Sequence, residues 1–320
     1  MNFYPLQFEP ILKERIWGGT KLKTLLNKEI TSEITGESWE ISTVENDISI
    51  VANGIFKGKN LNEIINTFPE AILGTKVYAQ FGNQFPLLFK YLDAREDLSI
   101  QVHPNDDLAK KRHNSFGKTE MWYVMQADTD SRLIVGFNKE SSKKAYLSSL
   151  KNNTVVSILD SKKVQKGDVF FLETGTVHAI GAGTVIAEIQ QTSDITYRIY
   201  DFNRKDAQGN ERELHVELAL DALNYNLVDA KKNYTKSENE HNKVVDCSYF
   251  TTNLIPLNGR ITISKNENSF KVFMCVEGTF QLETNDEIYS YKTGDTLLIP
   301  ANMTDFEIFG FATILEIYIS

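Results

Sequence analysis

Short runs of branched and aromatic residues dominate this chain, and each run is bounded by Gly, Asn, Asp or Lys. Runs of this kind are typical of β-strands that are joined by tight turns. The clearest examples are residues 87–92, 121–125, 168–172 and 261–263. Many short strands with few helices favour an all-β sandwich or barrel that carries short helical insertions.

Helical periodicity is scarcer than the strand pattern. Residues 60–73 predict one short helix or two, because Pro69 lies within the segment and marks an interruption or a new start. Residues 143–150 predict another helix. The strongest helical pattern covers residues 211–225, where apolar side chains recur at every fourth position.

A faint internal repeat indicates how the strands are organised. Residues 166–179 resemble residues 293–306, which lie 127 positions later, and both segments read as turn, strand, turn, strand. The first copy, Gly-Asp-x6-Gly-x2-His, resembles the hairpin signature of cupins. Its final residue, His178, is matched in the second copy by Asp305. We therefore predict two cupin or jelly-roll-like β-barrels, with chemistry only in the first.

A polar segment separates the two predicted barrels. Residues 229–243 are nearly free of aliphatic side chains, so we expect the linker there. This placement predicts a catalytic domain with helical insertions in residues 1–235 and a non-catalytic, cupin-like domain in residues 236–320.

The composition of the chain limits which binding partners and which cellular location we expect for the protein. The net charge of −9, with no dense Lys/Arg face, argues against a nucleic-acid partner. The two cysteines, Cys247 and Cys275, provide neither a disulfide framework nor a CxxC metal motif. No signal peptide or membrane-spanning segment is recognised, so we expect a cytoplasmic protein that does not bind membranes. The oligomeric state is left open.

One stretch, Ser-Ile-Gln-Val-His-Pro-Asn-Asp at residues 99–106, carries a metal-binding pattern. Gln101 and His103 are two positions apart, so on a strand they would share one face. Glu120 and His178 could join them, and two imidazoles, a carboxylate and an amide make a plausible open catalytic site for Zn²⁺ or another divalent ion. Alternatively, these side chains have only structural roles, as hydrogen-bonded histidines of a barrel and a solvated acid in a turn.

Seven blocks of sequence resemble, in order, the type I mannose-6-phosphate isomerases, in particular the short bacterial form. These blocks are residues 15–19, 36–42, 85–90, 99–106, 117–123, 175–183 and 190–201. The resemblance implies a zinc-dependent aldose–ketose isomerase that interconverts D-mannose 6-phosphate and D-fructose 6-phosphate, with one Zn²⁺ per chain. By motif position it implies the metal ligands Gln101, His103, Glu120 and His178. It also implies Arg198 as the catalytic arginine. Histidines 113, 215 and 241 receive no role.

The reaction implied by the resemblance needs charge stabilisation and a proton carrier. Arg198 is suited to hold the oxygens of a cis-enediolate, although an ion pair with Asp194 or Asp201 is an alternative use of its charge. Glu188 lies ten residues before Arg198 in an alternating run, so both would share a face if the run is one strand. Glu188 is the candidate base, and a metal-bound water is the competing carrier.

Cations and hydroxyls near the ligands are candidates for the substrate phosphate. Ser99 and Lys118 each lie two residues before a predicted ligand, and Lys90 ends a predicted strand. We assign all three to phosphate binding, and Lys118 also to proton transfer. Two other functions remain open: an isomerase of another hexose phosphate, and a sugar-phosphate-binding regulator without turnover.

Overall fold

The computed structural model describes residues 2–205 and 208–320, and strands account for most of its regular structure. The described strands are, in chain order, Leu6–Gln7 (β1), Ile11–Gly19 (β2), Thr35–Ile41 (β3), Thr43–Val44 (β4), Asp47–Ile48 (β5), Leu87–Ala94 (β6), Ile100–Val102 (β7), Glu120–Ala127 (β8), Arg132–Phe137 (β9), Leu159–Lys163 (β10), Val169–Leu172 (β11), His178–Ile180 (β12), Thr184–Gln191 (β13), Tyr197–Tyr200 (β14), Lys231–Lys232 (β15), Asn242–Asp246 (β16), Thr251–Ile263 (β17), Lys271–Thr284 (β18), Glu287–Lys292 (β19), Thr296–Ile299 (β20) and Phe306–Tyr318 (β21). The predicted β-rich character is confirmed.

The helices of the same residues are short. The α-helices are Lys21–Thr24 (α1), Leu61–Thr67 (α2), Pro69–Leu73 (α3), Thr75–Phe81 (α4), Asp106–His113 (α5), Lys143–Lys151 (α6) and Val216–Leu220 (α7). Two 3₁₀ turns cover Gly54–Phe56 and Val155–Ile158. None of these helices is long and apolar enough to cross a membrane.

Two of the helix predictions are confirmed. The segment 60–73 forms two helices, because Pro69 starts α3 directly after Phe68. Asn60 caps α2 through a reciprocal pair of hydrogen bonds with Glu63. The helix predicted at 143–150 is α6.

The helix predicted at residues 211–225 is wrong in length, since only Val216–Leu220 is helical. The backbone N–H of His215 donates to the carbonyl of Arg198 at 2.7 Å, and His215 Nδ1 accepts from the N–H of Arg198 at 3.1 Å. Leu214 is 46% exposed, so its helical spacing does not reflect burial. Tertiary pairing with β14 therefore overrides the local helical pattern.

The strands pair antiparallel into three large sheets. The central sheet has the order β15-β11-β8-β13-β6-β3-β2, and the five-stranded sheet has the order β10-β9-β12-β7-β14. The C-terminal sheet has the order β1-β20-β18-β21-β17-β16, with β19 paired to β18. The strands β4 and β5 form a separate pair. Closure of these sheets into two barrels stays a prediction.

The central sheet is covered on both faces, which explains why every residue of β6 and β13 is buried. One face, with Phe89 and Tyr91, packs in the same core as apolar residues of the C-terminal sheet. The opposite face, with Leu92 and Ile186, packs in a second core with apolar residues of the five-stranded sheet. Because side chains alternate along a strand, Lys90 and Glu188 lie on this second face.

The two copies of the internal repeat build the same turn. Gly167 and Gly294 both have positive φ, 85° and 92°, which glycine adopts without steric cost. The following residues, Asp168 and Asp295, each accept a hydrogen bond at Oδ2 from the N–H three positions earlier, at 3.2 and 2.8 Å. The resemblance between the two segments is therefore reproduced in backbone geometry.

The expected linker at residues 229–243 is partly ordered by the sheets on either side. The strand β15 pairs with β11 of the central sheet, whereas β16 pairs with β17 of the C-terminal sheet. Between them, the Tyr234 hydroxyl donates to the carbonyl of Gly167 at 2.6 Å. Strand β1, near the start of the chain, pairs with β20 of the C-terminal sheet. The division between residues 235 and 236 stays a prediction.

Candidate active site

Neighbouring strands of the five-stranded sheet align three of the predicted site residues. Gln101 of β7 is the register partner of His178 on β12 and of Arg198 on β14. Residues directly opposite one another in antiparallel strands project to the same face. The sheet therefore presents an imidazole, an amide and a guanidinium in one row.

The central sheet carries a second row of polar and aromatic side chains on the face that is turned towards the five-stranded sheet. Glu188 of β13 lies opposite Lys90 on β6 and Trp122 on β8, and Lys90 lies opposite Trp39 on β3. Glu120 starts β8 opposite Gln190 on β13. The two rows face each other across the space between the sheets, and the candidate site lies there.

Glu188 and Arg198 both line this space, but the single strand predicted for them is wrong. The strand β13 ends at Gln191 and β14 starts at Tyr197, in a different sheet. Residues 192–196 carry the chain from one sheet to the other. The two side chains line the same cavity because the two sheets face each other, and the even spacing between them in the sequence is not the cause.

His103, Glu120 and His178 form a compact, buried cluster whose ligating atoms lie within 4.8 Å of one another. The Nε2 atoms of His103 and His178 lie 3.5 and 3.4 Å from the two carboxylate oxygens of Glu120. The side-chain nitrogen of Gln101 is 3.3 Å from His178 Nε2. In the part of the chain that the structure describes, no other group of this kind is found. The four predicted ligands are therefore brought together.

Backbone carbonyls fix the orientation of both imidazoles. His103 Nδ1 donates to the carbonyl of Ile195 and His178 Nδ1 to that of Thr176, each at 2.8 Å. Each ring therefore keeps its Nε2 lone pair directed towards Glu120. Burial lowers the pKa of His178 to about 4 and that of His103 well below its usual range. Both rings are neutral at pH 7, the form that binds metal.

Glu120 indicates that the cluster fits a divalent cation. Both of its carboxylate oxygens are buried, and neither accepts a hydrogen bond. Burial raises the pKa of Glu120, although the ammonium of Lys118 lies 3.0 Å away. The Lys118 ammonium contacts Oε2, whereas Oε1 faces the neutral imidazole of His178 and would be compensated by a cation bound between the carboxylate and the two imidazoles. Two imidazoles, a carboxylate and an amide are a donor set suited to such an ion.

Next to the cluster is a cavity of about 540 Å³, a volume that suits a small ligand. Gln101 and Lys118 line it and also contact the cluster, so the cavity and the possible metal site are continuous. The basic residues that line the cavity are Lys13, Arg15, Lys90, Lys118, Arg198 and Arg212. Five acidic residues line it as well, namely Glu14, Glu37, Asp47, Glu188 and Asp194, so an anionic ligand would depend on a cation that is not already paired.

Most of these cations are paired with carboxylates. Lys90 lies 3.3 Å from Glu188, Arg15 Nε donates to Glu37 at 2.7 Å, and Lys118 lies beside Glu120. Burial opposes ionisation of Glu188, but Lys90 and Lys118 outweigh it and lower its pKa. Trp122 Nε1 also donates to Glu188, at 2.9 Å. Glu188 is therefore an ionised carboxylate at neutral pH.

Arg198 differs from the other cavity cations because its partners are uncharged. Its Nε donates to the hydroxyl of Ser99 at 3.3 Å, and Nη1 donates to the carbonyl of Glu213 at 2.9 Å. Within residues 2–205 and 208–320, no ion pair of Arg198 is found, and Asp201 pairs with Arg204 and Arg212 instead. The guanidinium is half-buried, aligned in the cavity and available to an anionic ligand.

Sequence reasoning did not assign a role to several residues that line the cavity. Arg15, Glu37 and Trp39 form one hydrogen-bonded group, in which Trp39 Nε1 donates to Glu37 at 2.6 Å. Lys90 lies over the Trp39 ring, 4.7 Å from its centre. The blocks at residues 15–19 and 36–42 were the available signal, because they contain all three residues. His215, also without an assigned role, supports the backbone of Arg198.

Two family models match this chain. The model for the catalytic domain of type I phosphomannose isomerase matches residues 6–132, and the model for the cupin domain of mannose-6-phosphate isomerase matches residues 240–319. Mannose-6-phosphate isomerase ManA of Bacillus subtilis is 36% identical over 317 residues, which cover 98% of each chain. The chain belongs to the type I phosphomannose isomerase family.

Solved structures of this family share the fold. The crystal structure of mannose 6-phosphate isomerase from Bacillus subtilis matches with a TM-score of 0.90 and 34% identity, over 98% of this chain and 99% of that one. A putative mannosephosphate isomerase from Archaeoglobus fulgidus matches over 100% of this chain and 99% of that one, with a TM-score of 0.80. Its identity is 22%, so it supports the fold alone.

Proposed function

We propose that this chain is a metal-dependent isomerase that interconverts D-mannose 6-phosphate and D-fructose 6-phosphate. The observation that carries the proposal is the buried His103–Glu120–His178 cluster, which opens through Gln101 and Lys118 into a cation-lined cavity. The full-length similarity to ManA of Bacillus subtilis supports the choice of substrate. A phosphosugar supplies an anion for this cavity.

The proposed cofactor is one Zn²⁺ per chain, held by Gln101, His103, Glu120 and His178. When bound, the ion supplies positive charge that stabilises oxygens on which negative charge develops. The neutral amide of Gln101 leaves more of that charge uncompensated than a second carboxylate would. The backbone carbonyls that hold His103 and His178 keep both rings oriented towards the ligand position.

The proposed reaction moves one proton between C2 and C1 of the sugar, and a second between the oxygens on these carbons, through a cis-enediolate. Arg198 would stabilise the enediolate oxygens, because its guanidinium is permanently charged and has no carboxylate in contact with it. Its orientation is fixed before the substrate arrives, by Ser99, the carbonyl of Glu213 and the hydrogen bonds to His215. Such preorganisation is what lowers the barrier.

Glu188 is the proposed proton carrier. It is ionised, lines the cavity and lies on the sheet that faces Arg198. A base must be within hydrogen-bond reach of the carbon from which it takes the proton. Lys118, which lies between the cluster and the cavity, is proposed to share in proton transfer.

Ser99, Lys90 and Lys118 are the proposed phosphate-binding residues. All three line the cavity. Lys90 and Lys118 are each paired with a carboxylate, Glu188 and Glu120, so we expect them to donate hydrogen bonds to the phosphate while keeping those pairs. The two-barrel architecture, the domain boundary at 235/236 and a cytoplasmic location are retained as proposals beside this function.

A coupled assay tests the substrate directly. The protein is offered mannose 6-phosphate, and formation of fructose 6-phosphate is recorded; glucose 6-phosphate serves as the comparison substrate. We expect turnover of mannose 6-phosphate and little turnover of glucose 6-phosphate. Binding of mannose 6-phosphate without conversion would favour a regulator, and preferential turnover of glucose 6-phosphate would favour an isomerase of another hexose phosphate.

A further inference from the structure

Asp106 ties together the segments that carry the metal-binding side chains. It lies three residues after His103, and its Oδ1 accepts hydrogen bonds from the backbone N–H of Gly117 at 2.8 Å and from Gln191 Nε2 at 3.0 Å. Gln191 Oε1 in turn accepts from the N–H of Thr119 at 2.9 Å. One carboxylate therefore links residues 103–106, residues 117–120 and the end of β13.

The segment held in this way positions the reactive side chains. Lys118 is flanked by Gly117 and Thr119, whose N–H groups are both fixed by the network, and Glu120 follows directly. Gly117 packs so closely that an added Cβ would lie 2.7 Å from the backbone nitrogen of Asp106. Small movements of Asp106 would therefore be transmitted to Lys118 and Glu120.

The other oxygen of Asp106 is held from the C-terminal part of the chain. The hydroxyl of Tyr249 donates to Asp106 Oδ2 at 2.7 Å. Its neighbour Phe250 is fully buried and packs edge-to-face on Phe171 of β11, with ring centres 6.5 Å apart. The turn at residues 247–250 is thus anchored in the core, and Tyr249 extends from it to Asp106.

We propose that Tyr249 is a positioning residue for the metal site, acting through Asp106. The C-terminal part of the chain, which contributes no metal ligand, then sets the alignment of Lys118 and Glu120. This inference rests on the proposed function in one respect, because the proposed function is what identifies the metal as zinc. It assigns the C-terminal part a role in metal binding beyond covering the central sheet.

The test compares two tyrosine hydroxyls in the full-length protein. Tyr249→Phe removes the hydrogen bond to Asp106, whereas Tyr234→Phe removes an equivalent hydrogen bond to the carbonyl of Gly167. Both side chains are partly buried. Zinc affinity is measured by competition with a chromogenic chelator, and thermal unfolding is recorded for each variant. We expect Tyr249→Phe to weaken zinc binding about two- to tenfold, less than the full worth of a hydrogen bond to a carboxylate because Tyr249 acts on the ligands only through Asp106, and Tyr234→Phe to leave it unchanged.

A double-mutant cycle separates positioning from general loss of stability. In an Asp106→Ala background, Tyr249→Phe should have no further effect on zinc affinity, because its route to the ligands is absent. Unchanged zinc affinity in Tyr249→Phe, an equal loss in Tyr234→Phe, or an undiminished effect in the Asp106→Ala background would overturn the proposal.

Hydrogen exchange provides a readout that needs neither zinc nor sugar. Tyr249→Phe should speed exchange at the amides of Gly117 and Thr119, and Tyr234→Phe should not. Unchanged exchange at both amides would contradict the proposal. If the wild-type protein binds zinc but does not convert mannose 6-phosphate, the proposed function fails while this assignment of Tyr249 stands.

Discussion

Replacing Arg198 by alanine separates a catalytic role from a structural one. Its side chain makes two hydrogen bonds, to the Ser99 hydroxyl and the Glu213 carbonyl, and no carboxylate would be left unpaired by its removal. A buried hydrogen bond to a charged group is worth about 1.5–3 kcal/mol, and because the guanidinium is only half-buried the two bonds together predict a loss of about 1–3 kcal/mol in the free energy of unfolding. Loss of a preorganised charged donor predicts a fall in kcat of about 10²–10³-fold.

Arg204→Ala is the matched control. Arg204 is also partly buried and also bonds a backbone carbonyl, that of Asp97, but it pairs with Asp201 and does not line the cavity. We expect Arg204→Ala to destabilise the fold to a similar extent and to retain most of its kcat.

The assay combines steady-state kinetics on mannose 6-phosphate with urea unfolding of the same preparations. The reasoning is refuted if Arg198→Ala loses no more kcat than Arg204→Ala at equal loss of stability. A rise in KM with unchanged kcat would also refute it, because Arg198 would then bind substrate and transition state equally.

Three further substitutions test separate parts of the structure. Glu120→Gln removes the charge that demands a cation, so zinc retained after dialysis should fall well below that of wild type; equal zinc content would contradict the assignment. Glu188→Gln should abolish exchange of the C2 proton of mannose 6-phosphate with D₂O in NMR spectra, and exchange at the wild-type rate would exclude Glu188 as carrier. Burial opposes ionisation of Glu316, but a hydrogen bond with His241 and the charge of Lys271 lower its pKa to about 2. Its unfolded pKa is about 4.3, so this carboxylate stabilises the fold above that pH and ceases to do so as pH falls towards 2. Urea unfolding should show Glu316→Gln to be less stable than wild type at pH 7, with the gap narrowing below about pH 4; a gap independent of pH would contradict this.

The four candidate ligands could be named from the sequence because each stands in a block that resembles the family, although two facing sheets bring them together. Gln101 and His103 are two residues apart, although β7 ends at Val102 and His103 lies just beyond it. His178 follows a turn that contains the positive-φ Gly175, whose counterpart in the second repeat copy is Asn302. Strand runs such as 87–92 and 121–125 were predictable as well, since their apolar and aromatic content matches buried strands.

Features that depend on tertiary contacts were not predictable in the same way. The helical spacing at residues 211–225 is real, but His215 pairs with Arg198 and limits the helix to five residues. Glu188 and Arg198 line one cavity from two different sheets, which no spacing rule on one strand describes. The link from Tyr249 to Asp106 joins residues 143 positions apart, and neither residue type indicates it alone.

Metal dependence of mannose 6-phosphate turnover is the most direct test of the central claim. The protein is stripped with a chelator, assayed for fructose 6-phosphate formation, and then titrated with Zn²⁺ while bound metal is quantified. We predict that activity is lost on stripping and returns in proportion to zinc, reaching a plateau at one ion per chain. Full activity in the stripped protein would contradict the assignment of Gln101, His103, Glu120 and His178 as the ligands of a catalytic metal.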